Sequence, residues 1–214
     1  MKLQILGNVH NINLVTPEHV VPQVALSILN ARDMGLKVPI VYNTSSYDSL
    51  DSLRLLDGLV DIYLPDFKVW NNNSSKRLLK TDDYPETARE SVKAMHDQVG
   101  DLSFTGDGIA KKGVLLRHLV MPGKEEEGKE IVRWLAENVS TNLYVNIMEQ
   151  YHPDAHVGKK RRVTSKEGGN REDVRYAEIN RAARDDEIET VRGAAKAAGL
   201  WRFPEVNEMG LFHV

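Results

Sequence analysis

Charged side chains lie beside or within short apolar runs in this chain of 214 residues. Asp66 and Lys68 follow the run VDIYLP and lie two residues apart, which places them on one face of a strand. Such a pair can form an ion pair, bind a charged ligand or carry out acid–base chemistry. Arg117 lies inside the apolar run VLLRHLV, and a buried guanidinium needs an anionic partner, either a ligand or an internal carboxylate.

Two other apolar runs end in polar residues that are further candidates for ligand contact. Thr16 and Glu18 follow the run INLV, where they also fit a helix cap and a first-turn acid. Asn43, Thr44 and Ser45 follow the run VPIVY, where they also fit ordinary loop chemistry. The candidate ligand-binding residues are therefore Thr16, Glu18, Asn43, Thr44, Ser45, Asp66, Lys68 and Arg117.

Several common chemical motifs are absent from the sequence. The chain has no cysteine, so it supplies no disulfide, no thiolate nucleophile and no cysteine ligand for an iron–sulfur cluster. Its seven histidines show no metal-ligand spacing, and we expect no metal site. His118 alternates with Arg117, so it is expected to face the other side of the strand and to pack against helices. The glycine motifs of dinucleotide-binding proteins and P-loop enzymes and the nucleophile elbow of serine hydrolases are also missing.

Composition argues against two classes of partner. A net charge of −3 gives no general attraction to nucleic acid, and no apolar stretch approaches the ~20 residues that cross a membrane. The segment MKLQILGN is too short and too weakly apolar for a secretory leader. Together with the absence of cysteine, this predicts a cytoplasmic protein.

Alternating strand and helix patterns would position the candidate residues. Five apolar runs separated by helical patterns predict a parallel sheet covered by helices, either open or part of a barrel. Ligands in such folds lie beyond the carboxyl ends of the strands, where the candidates would meet. Residues 157–175 are polar and basic, and we interpret them as an exposed, flexible insertion before a terminal helix. We therefore divide the chain into domains at 1–152 and 153–214.

Four longer segments resemble one enzyme family: HNINLVTPEHVVPQV, PIVYNTSSYDSLDSLRLLDGLVDIYLPDFKVW, GVLLRHLVMPG and LYVNIMEQYHP. They resemble the radical S-adenosylmethionine (radical SAM) proteins similar to pyruvate formate-lyase activating enzyme, in an uncharacterised iron–sulfur branch. The resemblance covers most of residues 3–203. It implies a partial (β/α)6 TIM-like barrel and an oxidoreductase. In that family a [4Fe–4S] cluster reduces SAM, and the 5′-deoxyadenosyl radical abstracts hydrogen.

The resemblance also implies roles for the candidate residues. The segment containing Thr16 and Glu18 corresponds to the place where relatives contact the amino group of SAM, usually with Gly-Gly-Glu. Residues 43–45 would lie near the ribose or the carboxylate of SAM. Asp66 and Lys68 match the D-x-K that lines the SAM or substrate pocket, and Arg117 matches a strand arginine. The segment NIMEQY would close the adenine side of the pocket.

The cysteine loop of the family, C-x-x-x-C-x-x-C, has no counterpart here, and LQILGNV resembles the end of the helix that would follow it. We therefore expect the first strand–helix unit to be missing, which would expose a sheet edge and favour self-association. Three hypotheses follow. The chain is a shortened activating enzyme that is inactive alone, with a partner similar to a glycyl-radical enzyme. It is a cluster-free module that binds SAM, a nucleoside or a protein. It is a cofactor-free acid–base enzyme that uses Asp66 and Lys68.

Overall fold

The computed structural model describes residues 1–164, 170–206 and 212–213. These residues form an α/β fold with one large sheet of six strands and with seven helices. The strands of the large sheet are β1 (Ile12–Val15), β2 (Ile40–Thr44), β3 (Ile62–Pro65), β4 (Ser103–Phe104), β5 (Ala110–Leu119) and β6 (Tyr144–Met148). The helices are α1 (Lys2–Gly7), α2 (Val21–Asp33), α3 (Leu50–Leu56), the short α4 (Asn72–Ser74), α5 (Tyr84–Val99), α6 (Glu125–Asn138) and α7 (Asp185–Ala197).

The large sheet is mostly parallel. Strands β1, β2, β3, β5 and β6 lie side by side in chain order and run parallel, while the two-residue β4 pairs antiparallel with the start of β5. The α/β class predicted from the sequence is therefore confirmed. In the described part of the chain β1 does not pair with β6, so a closed barrel is not confirmed and the sheet has two edges.

The two faces of the sheet are packed differently. On one face Tyr42, Tyr63 and Leu116 are fully buried against the helices. On the other face Val41 and Leu115 belong to a much smaller apolar cluster. Because side chains alternate along a strand, each polar residue at a strand end faces either the helix layer or the less covered face, which we call the open face.

The entry into α2 differs from the sequence prediction. Thr16 was expected to cap a helix that begins at Pro17, but Thr16 has a left-handed backbone (φ +54°) and α2 begins at Val21 after a 3-10 turn over Glu18–Val20. Thr16 therefore ends β1 in a sharp bend. A true side-chain cap occurs at α3, where the Ser52 amide donates to Ser49 Oγ over 3.1 Å.

The basic segment 157–175 contains two strands that were not predicted, while its flexibility stays a prediction. Its described parts pair antiparallel as β7 (Lys160–Thr164) and β8 (Asn170–Val174), while residues 165–169 of the insertion lie outside the described residues. A second short antiparallel pair joins β9 (Glu205–Val206) to β10 (Phe212–His213). Helix α7 packs against α6, and the division at residue 152 stays a prediction. Among the described helices, none combines the length and the apolar character that a membrane crossing requires.

Gly113 marks a close approach between β5 and the segment before β4. Its backbone has φ +126°, and a Cβ placed there would lie 2.4 Å from Leu102 Cα and 2.5 Å from the carbonyl oxygen of Asp101. Both neighbours are backbone atoms, so no side-chain rotation can relieve the clash. Only glycine fits at this crossing.

We expect Gly113→Ala to lower the free energy of unfolding by about 2–4 kcal/mol, because it adds both a backbone clash and an unfavourable φ. Urea denaturation of the purified chain measures this loss. The control is Gly106→Ala, where a Cβ meets no atom within 4 Å and the change should stay within about 0.5 kcal/mol. Equal stability of the two variants would contradict the close approach.

Candidate functional site

Arg117 lies at the centre of a polar group on the open face of the sheet. Its Nε donates to Asp66 Oδ1 over 2.7 Å, and its Nη2 donates to Asn43 Oδ1 over 2.7 Å. The other oxygen of Asp66 accepts a hydrogen bond from Lys68 Nζ over 2.6 Å. We call these four residues the Arg117 cluster. The internal carboxylate of Asp66 is thus the anionic partner that a guanidinium in an apolar strand requires.

The parallel register explains why these residues meet. Asp66 pairs with Arg117 across β3 and β5, and Asn43 on β2 pairs with Leu64, two residues before Asp66. Three neighbouring strands therefore each send a polar side chain to the same face at their carboxyl ends. The side chains of Asp66 and Arg117 are 22% and 24% exposed, so the ion pair is screened only in part by water.

A second group of polar residues forms around Glu18, just after β1. Glu18 Oε1 accepts hydrogen bonds from the Ser45 amide (2.6 Å), from Ser45 Oγ (2.9 Å) and from Thr44 Oγ1 (2.9 Å). Its other oxygen, Oε2, is covered and has no hydrogen-bond partner among the described residues. One half of this carboxylate is therefore fixed, and the other half has unused capacity to accept a hydrogen bond.

Asp48 completes this group, which we call the Glu18 cluster and which consists of Glu18, Thr44, Ser45 and Asp48. Asp48 is only 3% exposed and lies within hydrogen-bond distance of Thr44 Oγ1 and of the Tyr42 hydroxyl, which is 2.8 Å away. Burial raises the pKa of the Asp48 carboxyl, although its two hydrogen bonds act in the opposite direction. Burial raises the pKa of the Tyr42 hydroxyl.

The sequence analysis missed Asp48 and Tyr42. A usable signal was present, because Tyr42 and Thr44 alternate onto the helix-covered face of β2. Two hydroxyl groups on a buried face need hydrogen-bond partners, and Asp48 is the first carboxylate that follows them in the sequence.

Tyr84, on α5, joins the two clusters. Its hydroxyl lies 2.9 Å from the carbonyl oxygen of Ser45 and 2.8 Å from that of Asp66, and it accepts a hydrogen bond from the Lys68 amide over 3.0 Å. Burial raises the pKa of this hydroxyl, which is therefore neutral. One buried tyrosine thus fixes the ends of β2 and β3 relative to each other.

Not every candidate residue joins these clusters. Thr16 contributes its amide, which donates to the carbonyl oxygen of Asn43 over 2.8 Å, while the residue is exposed. His118 lies on the helix-covered face and is 3% exposed, as its alternation with Arg117 predicts. Its Nδ1 lies 2.7 Å from the carbonyl oxygen of Phe67, and burial lowers the pKa of its imidazole.

The end of β6 borders a different space. A cavity of about 660 Å³ lies between β6, α7 and the segment near Pro204. Glu149, which belongs to the segment NIMEQY at the end of β6, lines this cavity and forms an ion pair with Arg192 (3.0 Å). Asn146 lines it too and pairs in register with Arg117, so the cavity borders the β5–β6 pair next to the Arg117 cluster. The two clusters, rather than this cavity, hold the candidate residues.

An iron–sulfur cluster does not fit the residues present. The chain has no cysteine, and the described residues contain no group of three histidine, cysteine, aspartate or glutamate side chains that could hold a metal ion. Thiolates are the usual ligands of such clusters. Any iron–sulfur cluster at the carboxyl ends of these strands would need ligands from outside this chain.

Comparison with known proteins gives a relative in sequence and a neighbour in structure. No protein-family model matches the chain. An uncharacterized protein of Methanocaldococcus jannaschii is 31% identical over 177 residues, which is 82% of this chain and 43% of the relative. The chain thus spans less than half the length of that relative. A domain of pyruvate-formate lyase-activating enzyme from Bacteroides vulgatus superposes with a TM-score of 0.59, covering 90% of this chain and 95% of that domain at 9% identity.

The superposition shows the fold. The α/β arrangement of this chain is similar to that of the activating-enzyme domain, as the resemblance in the sequence implies. At 9% identity the likeness says nothing about which cofactor or substrate this chain binds.

We expect Asp66→Ala to lower the free energy of unfolding by about 1–3 kcal/mol, because it leaves Arg117 and Lys68 partly buried without their shared anion. The matched control is Asp51→Ala, which removes an ion pair with Arg54 at the surface, where the side chains are 89% and 71% exposed. That change should cost less than about 1 kcal/mol. Urea denaturation of both variants checks the difference, and an Asp66→Ala variant as stable as the control would contradict the clustered geometry.

Proposed function

We propose that this chain binds S-adenosylmethionine, or a nucleoside ligand of the same chemistry, at the carboxyl ends of β1, β2, β3 and β5. Two observations carry the proposal: the covered, unpartnered Oε2 of Glu18 after β1, and two cationic side chains that share one carboxylate at the ends of β3 and β5. A ligand with an ammonium group and a carboxylate complements both features. The sequence resemblance to radical SAM proteins implies the same ligand class.

The charges of the two clusters suit the amino-acid part of SAM. Glu18 offers an anionic oxygen for an ammonium group. Lys68 and Arg117 together carry two positive charges against the single negative charge of Asp66, which leaves one positive charge for a carboxylate. Asn43 and Ser45 offer amide and hydroxyl groups for ribose hydroxyls, and the exposed Thr16 would border the pocket.

We propose binding rather than turnover for this chain alone. Reductive cleavage of SAM needs an electron donor, and the iron–sulfur cluster that serves the family does not fit these residues. The chain is in this view the ligand-binding part of a radical SAM-type fold. The cofactor-free acid–base hypothesis has less support, because both oxygens of Asp66 are already engaged by cationic side chains.

The partner that we propose is a second copy of this chain at the β1 edge. Val15 at the end of β1 is 67% exposed, and Leu26 and Leu29, one turn apart on α2, are 62% and 48% exposed. An open strand edge beside apolar side chains favours pairing with another chain. In a symmetric pair the β1 edge and the two exposed leucines of α2 would be covered by the same residues of the second copy.

We expect isothermal titration calorimetry to show binding of SAM to the purified chain. Glu18→Gln should weaken that binding about tenfold or more, because it replaces a charge-assisted hydrogen bond with a neutral one. Binding of 5′-methylthioadenosine, which lacks the ammonium and carboxylate groups, should change little in the same variant.

Glu130→Gln is the control, because Glu130 forms an ion pair with Arg133 on the surface of α6 and belongs to neither cluster. It should leave both affinities unchanged. Absence of heat and of thermal stabilisation with both ligands would contradict the proposed function. An equal loss of affinity for both ligands in Glu18→Gln would contradict the role of Glu18.

We expect sedimentation velocity to show self-association that rises with protein concentration and that Val15→Lys and Leu26→Lys reduce, because a lysine ammonium would be buried in the contact. Leu55→Lys, at a 53% exposed leucine of α3, is the control and should have no effect. A monomer at all concentrations, or an equal effect of the control, would contradict pairing at the β1 edge.

A further inference from the structure

The hydroxyl group of Thr44 lies between two carboxyl groups. Thr44 Oγ1 is 2.9 Å from Glu18 Oε1 and 2.5 Å from Asp48 Oδ2, and it also accepts a hydrogen bond from the Ser46 amide over 3.1 Å. A hydroxyl has one proton to donate and two lone pairs that accept. It can therefore donate to only one of the two carboxyl groups, and the other must either repel it or donate to it.

We infer that Asp48 is a protonated carboxylic acid at neutral pH, which donates to Thr44 so that Thr44 can donate to Glu18. In this arrangement every contact has one donor and one acceptor. The Tyr42 hydroxyl donates to Asp48 Oδ1, Asp48 Oδ2 donates to Thr44 Oγ1, and Thr44 donates to Glu18 Oε1. The Ser46 amide fills the second lone pair of Thr44.

Asp48 holds the proton in preference to Glu18 for reasons of hydrogen bonding and burial. Glu18 Oε1 accepts from the Ser45 amide and the Ser45 hydroxyl in addition to Thr44, which stabilises its anionic form. A proton on Glu18 Oε2 would have no acceptor among the described residues. Asp48 has one other donor, Tyr42, and is 3% exposed, so burial disfavours its charged form.

The titratable groups that act on Asp48 come from each element packed around it. Tyr42 on β2, Tyr63 on β3 and Tyr84 on α5 all have pKa values raised by burial, so these hydroxyls are neutral. Glu18 adds a negative charge, which together with burial raises the pKa of Asp48. A second negative charge on Asp48 would have no cationic group to offset it among these neighbours.

Asp48 is in this view a positioning residue for the ligand contact. Its proton lets Thr44 donate to Glu18, which keeps Glu18 Oε1 fixed and leaves Oε2 as the free anionic oxygen. This use of the proton rests on the proposed function, in which Glu18 receives an ammonium group. The protonation itself does not, and it is tested without any ligand.

The direct test is the ¹³C chemical shift of the Asp48 carboxyl carbon, measured in the labelled chain between about pH 4 and pH 8 and assigned by its loss in Asp48→Asn. We expect the shift of a neutral carboxylic acid at pH 7. The shift of an ionised carboxylate at pH 7 would overturn the inference.

Stability against pH gives a second, independent readout. In the unfolded chain Asp48 releases its proton near its ordinary pKa, whereas the folded chain holds it to higher pH. The wild type therefore loses stability as pH rises above that ordinary value, until the raised folded pKa is passed. Asp48→Asn mimics the neutral acid and can donate to Thr44, so the stability of this variant does not fall in the same way as pH rises.

We therefore expect the urea midpoint of Asp48→Asn to equal that of the wild type near pH 4 and to exceed it increasingly towards pH 7. Asp51→Asn, at an exposed position of α3, should show no such growing difference. If the growing difference appears in Glu18→Gln instead, the proton lies on Glu18 and the inference is overturned. A difference for Asp48→Asn that does not grow with pH overturns it as well.

Discussion

The ion pair between Arg117 and Asp66 joins the carboxyl ends of two inner strands of the sheet. A guanidinium on an inner strand of a parallel sheet requires an anion, and the register of β3 and β5 supplies one directly opposite. Because Asp66 also accepts from Lys68, and Arg117 also donates to Asn43, three strands become joined by side chains at their carboxyl ends. Charge is therefore concentrated at the carboxyl ends of these strands.

Buried polar groups on the helix-covered face also hold the carboxyl ends of these strands in place. Tyr42, Thr44 and Asp48 lie under the helix layer, where each group needs a partner. They form a series of hydrogen bonds with one another that ends at Glu18. The Tyr84 hydroxyl connects this series to the backbone of Asp66. The hydrogen-bond network is thus continuous from the helix-covered face to the open face, and Glu18 Oε2 retains unused capacity to accept a hydrogen bond.

Much of this arrangement could be predicted from the sequence, because it follows from alternation and from parallel strands. Continuous apolar runs separated by helices predict the parallel sheet. Polar residues at the carboxyl ends of its strands then lie close together, as Asn43, Asp66 and Arg117 do. Other features depend on contacts that the sequence does not state. Thr16 reads as a cap, but the bend after β1 places it in a left-handed conformation. Asp48 reads as a loop residue, because only the packed fold shows how deeply it is buried. The two strands of the basic segment were not predicted because their sequences, KRRVT and NREDV, are mostly polar.

We propose that ligand binds at the two polar clusters and not in the cavity beside β6. The most direct measurement is a titration of the ¹⁵N-labelled chain with SAM, followed by NMR. The account predicts that the Ser45 amide and the Arg117 Nε–H signals shift together and saturably. Saturable shifts confined to residues that line the cavity, such as Gln150 and Lys196, or no shifts at all, would contradict it.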